Sequence, residues 1–129
     1  MIDFEFEFQY AEEKQPTLQK VGGSIPAGRC VVLCGGSGCG KSTLLRCING
    51  LIPQFYEGEL RGFCRLNGQD TAGMSIGEIG ELAASVFQDP RSQFFTVNSS
   101  NEVAFGLENH GLPQDKIRQR VDEAFRLFH

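Results

Sequence analysis

The chain has 129 residues, of which 40% are hydrophobic and 22% charged, a length and composition that suit one folded domain and exclude disorder as the default. The formal net charge of −4 and pI of about 5.1 argue against a nucleic-acid-binding face, which is basic, and predict no nucleic-acid partner. A phosphate ligand stays open, because it needs only local positive potential.

The five cysteines are Cys30, Cys34, Cys39, Cys47 and Cys64, an odd number with no CxxC pair. Cys30 and Cys34 flank an apolar run and are expected to be small, reduced core residues. His110 and His129 lie far from them in sequence, so no zinc site is predicted. Asp3, Glu5 and Glu7 break any signal-peptide pattern, and the longest apolar run, Cys30–Cys34, is too short to span a membrane.

In chain order, Ile2, Phe4, Phe6, Phe8 and Tyr10 alternate with Asp3, Glu5, Glu7 and Gln9, which predicts a half-buried antiparallel strand. A polar turn over Ala11–Pro16 leads to a returning strand over Thr17–Val21, and Ile25–Gly28 reads as a turn. Cys30–Cys34 reads as a buried strand at the centre of a parallel sheet. Leu44, Leu45 and Ile48 stand at helical spacing within Lys41–Asn49, and Asn49-Gly50 is a stop signal. Glu59–Leu66 is a strand closed by Asn67-Gly68. Ser75 and Glu78 form a capping box, Ser85–Phe87 a short strand, and Ser99 and Glu102 a second capping box whose helix stops near Asn109-His110-Gly111. A last helix from about Pro113 carries Ile117, Val121, Ala124, Phe125 and Phe128 on one face.

The run Gly35-Gly36-Ser37-Gly38-Cys39-Gly40-Lys41-Ser42 fits GxxxxGK[ST] in full. Each residue type has a physical task. A phosphate chain needs many hydrogen-bond donors at short range, and backbone N–H groups supply them only if the chain curls tightly around the anion. Glycine permits the positive φ angles and close approach this requires. Gly40 then opens a helix whose free N–H groups and dipole face the phosphates. Lys41 adds a full charge, and the Ser42 hydroxyl offers Mg²⁺ the hard oxygen it prefers. The apolar run before the loop and the amphipathic helix after it are the context that separates this pattern from a chance glycine-rich turn.

On these residues the chain resembles the ATP-binding subunits of ABC transporters. The resemblance extends to Tyr10, placed where that family stacks an aromatic on adenine. It includes Val86-Phe87-Gln88-Asp89-Pro90, which looks like the family's Q-loop, with Gln88 reaching Mg²⁺ or the attacking water. Thr43 looks like the family's second hydroxyl, on the α-phosphate. Three further stretches are similar to the energy-coupling factor type of vitamin and metal importers. They are Asn49–Pro53 with Tyr56–Leu60, Gln93-Phe94-Phe95, and Glu102–Asn109.

The resemblance implies an α/β fold, a P-loop NTPase with a RecA-like core and an N-terminal antiparallel β subdomain. Residues 1–129 would form a single, incomplete nucleotide-binding domain, truncated within the helical subdomain. It implies ATP and Mg²⁺ as cofactors. Cofactor binding would fall to Tyr10, Gly35, Gly36, Ser37, Gly38, Cys39, Gly40, Lys41, Ser42 and Thr43, catalytic roles to Lys41 and Gln88, and metal ligation to Ser42 and Gln88. The implied partners are a transmembrane coupling subunit and a second ATPase subunit, identical or not, with this chain cytoplasmic at the inner face of the membrane. The sequence departs from the family in having no LSGGQ-type run and no apolar strand ending in Asp-Glu. The 129 residues are therefore expected to bind nucleotide weakly without turnover. A non-hydrolysing nucleotide-binding module is the alternative. A P-loop small-molecule kinase is a weaker one, since Arg61, Arg65, Arg91, Arg118, Arg120 and Arg126 form no lid-like cluster.

Overall fold

The strict alternation at the N-terminus becomes strand β1, Ile2–Tyr10, in the computed structural model, which describes residues 1–128. Strand β2 is Leu18–Ile25, β3 is Gly58–Leu66 and β4 is Gln69–Asp70. Among the described residues these four form one antiparallel sheet in the order β2-β1-β3-β4. The period of two puts Phe4, Phe6 and Phe8 on one face, opposite Cys64, Gly62 and Leu60 of β3. Asp3, Glu5 and Glu7 take the other face, where Glu7 pairs across the ladder with Arg61. β2 accommodates an extra residue between the partners of Phe6 and Phe8, where Lys20 adopts φ 50. Asn67 (φ 50) and Gly68 (φ 83) close β3 onto β4 as a two-residue hairpin turn.

Three helices supply the apolar residues that cover this sheet: α1, Lys41–Ile48; α2, Leu51–Gln54; and α3, Ile76–Leu82. Leu44, Cys47, Ile52 and Ile79 join Phe4, Phe6, Phe8, Leu18, Cys64 and Leu66 in one hydrophobic cluster. Phe8, fully buried, contributes about 1.5–3 kcal/mol by burial alone. The cluster closes tightly on two glycines: a Cβ on Gly50 would meet Ile79 Cδ1, and one on Gly62 (φ 116) would run into the Glu5 carbonyl. Ser75 opens α3 with a complete capping box, its hydroxyl accepting from Glu78 N while the Glu78 carboxylate accepts from Ser75 N at 2.7 Å.

The chain divides into two compact units, Met1–Ser85 and the residues from Val86 onward. The second contains a 3₁₀ turn, Pro90–Gln93, then α4, Ser99–Asn109, and α5, Gln114–Leu127. Phe95 stacks on Phe105 of α4 at 5.0 Å, and Gly111 (φ 68) turns the chain into α5, whose Ile117 is buried.

Several expectations are corrected. Cys30–Cys34 is not a strand, and Cys30, Val31, Val32, Leu33 and Cys34 are all exposed, Val32 at 78%. A parallel strand is buried only when ladders flank it, and among the described residues none pairs with this run. The cysteines in the core are Cys47 and Cys64 instead. Ser85–Phe87 is likewise exposed and outside any strand. β2 runs through Gly22 and Gly23 to Ile25, because its pairing with β1 overrides their poor strand propensity. The cap of α4 is Asn98, whose side chain accepts from Asn101 N at 2.8 Å. Glu102 serves the preceding loop, accepting from Phe95 N, Thr96 N and the Thr96 hydroxyl.

Candidate phosphate-binding site

The glycine-rich loop folds as its composition dictates. Gly38 adopts φ 77 and Gly40, the N-cap of α1, adopts φ 92, values that L side chains rarely reach. No side chain caps α1 and its first turn carries no acidic residue, so its orphan N–H groups and positive dipole end are left for an outside acceptor. Gly35 to Cys39 and Ser42 are exposed, as a ligand-facing loop requires.

Lys41 folds back over this loop. Its ammonium donates to the carbonyls of Gly35 at 2.9 Å and Gly36 at 2.6 Å, and lies 3.5 Å from Cys39 Sγ. The partners on the loop are neutral, so its full charge remains for an anion. A Cβ on Gly35 would press on Cys39 Sγ at 2.6 Å, which explains glycine where the loop crosses itself. The donor set fits a phosphate chain. The exposed Ser42 hydroxyl, on the first turn of α1, is a hard oxygen suited to one Mg²⁺ position, with phosphate and water oxygens completing such a shell. Among the described residues no group of three His, Cys, Asp or Glu could hold a metal ion by itself.

Beside the loop, Tyr10 ends β1 against the first turn of α1. Its hydroxyl lies 3.1 Å from Thr43 Oγ1, and its ring packs edgewise on Phe8 at 4.7 Å and on Tyr56 at 6.5 Å. Arg46 donates to the Tyr10 hydroxyl at 3.2 Å and lies over the Tyr56 ring at 4.4 Å. The structure thus brings together the loop, Lys41, Ser42, Thr43 and Tyr10 in the first unit. Arg46 and Tyr56 were not predicted as site residues. A signal for Arg46 existed, since it lies three residues after Thr43 and so on the same helix face.

Gln88 belongs to the second unit, where it is exposed in the bend before the 3₁₀ turn. That bend is held by Phe87 N donating to Gln93 Oε1 at 3.2 Å and by Asp89, which accepts from Arg91 N at 3.1 Å. The pairing of Gln88 with Ser42 on one metal therefore rests on the family resemblance.

A loop whose glycines take positive φ and which opens directly onto the uncapped N-terminus of α1 defines the class, a P-loop nucleotide-binding site. The particular family follows from comparison: residues 18–128 match the family model described as ABC transporter, and the chain belongs to that family. Two relatives are named "Putative ABC transporter ATP-binding protein". One, from Treponema denticola, is 45% identical over 116 residues, covering 90% of this chain and 24% of the relative. The other, from Lactobacillus johnsonii, is 39% identical over 124 residues, covering 95% of this chain and 22% of the relative. The chain thus spans about a quarter of the length of the curated relatives it matches. It is an ABC transporter ATP-binding module, and no helix among the described residues is long and apolar enough to cross a membrane.

Proposed function

We propose that the chain binds Mg-ATP at Gly35–Ser42 as part of an ATP-binding subunit of an importer of the energy-coupling factor type. The observation that supports nucleotide binding is the Lys41 ammonium held on the carbonyls of Gly35 and Gly36, over a loop whose glycines take positive φ, while the importer type rests on the sequence resemblance. In this reading Gly35, Gly36, Ser37, Gly38, Cys39 and Gly40 line the phosphates with backbone N–H groups. Lys41 neutralises the β- and γ-phosphates, Ser42 ligates the metal, Thr43 serves the α-phosphate and Tyr10 meets the adenine. Gln88 completes the metal shell or orients water, and both units belong to one nucleotide-binding domain. The longer protein couples hydrolysis to transport through a transmembrane coupling subunit and a second ATPase subunit, at the cytoplasmic face of the membrane. Phosphoryl transfer to water needs a water-orienting carboxylate and charge stabilisation besides a phosphate cradle. The 129 residues contain neither an LSGGQ-type run nor an apolar strand ending in Asp-Glu, so they hold ATP without meaningful turnover.

Calorimetric titration with Mg-ATP tests the binding. Heat that saturates in the wild type and vanishes in Lys41→Ala is expected. Silence in the wild type at millimolar nucleotide, or unchanged binding in the variant, would overturn the reading.

A further inference from the structure

Thr43 is a buried hydroxyl, 6% exposed, on the third residue of α1. It is linked to Tyr10 and, through Tyr10, to Arg46. Either hydroxyl of the Tyr10–Thr43 bond can donate, but the charge of Arg46 on the Tyr10 oxygen favours the phenol as the donor. A guanidinium can only donate, so the Tyr10 oxygen accepts from Arg46. The phenol proton is then available to Thr43 Oγ1, the acceptor in reach at 3.1 Å. Thr43, accepting from Tyr10, keeps its own proton for a further acceptor. The chain is polarised end to end, its first link is charge-assisted, and its partly buried setting strengthens it. It ends on a donor in the first turn of the helix that follows the glycine-rich loop, where a phosphate oxygen needs one. Arg46 is anchored in turn by the Tyr56 ring beneath it.

From this geometry we infer that Arg46 is a positioning residue of the nucleotide site: acting through the Tyr10 hydroxyl, it sets Thr43 to donate to a phosphate oxygen. The inference rests on the reading of Gly35–Ser42 as a phosphate cradle. Without Arg46 the Tyr10 oxygen is equally free to accept from Thr43, which turns a lone pair toward the anion and weakens its binding.

The test is Mg-ADP affinity, by calorimetry on the full 129-residue chain, for the wild type, Arg46→Gln, Tyr10→Phe, the double variant and Arg46→Lys, with circular dichroism checking the fold. Tyr10→Phe keeps the ring and removes one oxygen. Each single variant is expected to bind about tenfold more weakly, a change of roughly 1.4 kcal/mol. The double variant should lose no more than either single one, because the chain is already broken. Lysine, which restores a donor, should recover part of the loss. Additive losses of about a hundredfold in the double variant would mean that Arg46 acts as a plain charge or packing group, and would overturn the inference. So would undiminished affinity in Tyr10→Phe, which decides the matter even if Arg46→Gln fails to fold. If the wild type binds no ADP at all, the phosphate-cradle reading itself fails, an outcome distinct from the others.

Discussion

Replacing Gly40 by alanine should destabilise the first unit more than the same change at Gly38, and the difference can be worked from the structure. Both glycines sit at positive φ, 77 for Gly38 and 92 for Gly40, so both alanines carry a similar backbone cost of about 1–2 kcal/mol. They differ in surroundings. A Cβ at Gly38 meets nothing within 4 Å. One at Gly40 meets the Thr17 carbonyl at 3.1 Å and Leu18 Cδ2 at 3.0 Å. Neither neighbour yields easily: Thr17 is fixed by its own N–H bond to the Phe8 carbonyl at 2.8 Å, and Leu18 is buried in the core. Overpacking of this kind adds a further ~1–3 kcal/mol. Urea unfolding followed by far-ultraviolet circular dichroism should therefore show a clearly lower midpoint for Gly40→Ala than for Gly38→Ala, with unchanged slopes. Equal midpoints, or a larger loss at Gly38, would refute the claim that the loop is braced against the β1–β2 connection.

Ser75→Ala should remove the α3 capping box at a cost of about 1 kcal/mol, read from the same unfolding curves. Hydrogen bonds from Ser75 hold the Glu78 carboxyl below its usual range. Its stabilising contribution is complete above the ordinary glutamate pKa and lost as pH falls through the lowered one. The stability gap between wild type and Glu78→Gln should accordingly close on acidification, as paired titrations would show. Thiol labelling at pH 8 should find three fast groups, Cys30, Cys34 and Cys39, and two slow ones, Cys47 and Cys64, released only by denaturant. Burial pushes the Cys47 thiol up to about 12, so that group favours the folded state below the ordinary thiol range and ceases to do so as pH rises toward 12.

Local signals carried much of this fold. The alternation of Ile2–Tyr10, the Asn67-Gly68 turn, the Ser75–Glu78 box and the helix after Gly40 were all legible, because each is decided by neighbours in sequence. Most of what escaped was decided by residues far away. Cys30–Cys34 has the composition of a central strand, yet a strand is a property of its partners, and an apolar run cannot name them. β2 shows the converse: the expected strand ends at Val21, but β1 recruits Gly22 and Gly23 into the ladder. The box assigned to Ser99 failed because Asn98, one residue earlier, is an equally good cap and leaves Glu102 for the Phe95–Thr96 backbone. At the site, the glycine-rich pattern was complete in sequence. The bond between Tyr10 and Thr43 joins residues 33 apart, and nothing local announces it.

The ring cluster at the end of β1 also gives the molecule an optical property. The chain has no tryptophan and only two tyrosines, and these are Tyr10 and Tyr56, whose rings lie 6.5 Å apart beside Thr43. Its entire intrinsic tyrosine emission therefore originates within one cluster next to the glycine-rich loop. The unlabelled protein is its own spectroscopic probe of that corner, with no background from the rest of the fold.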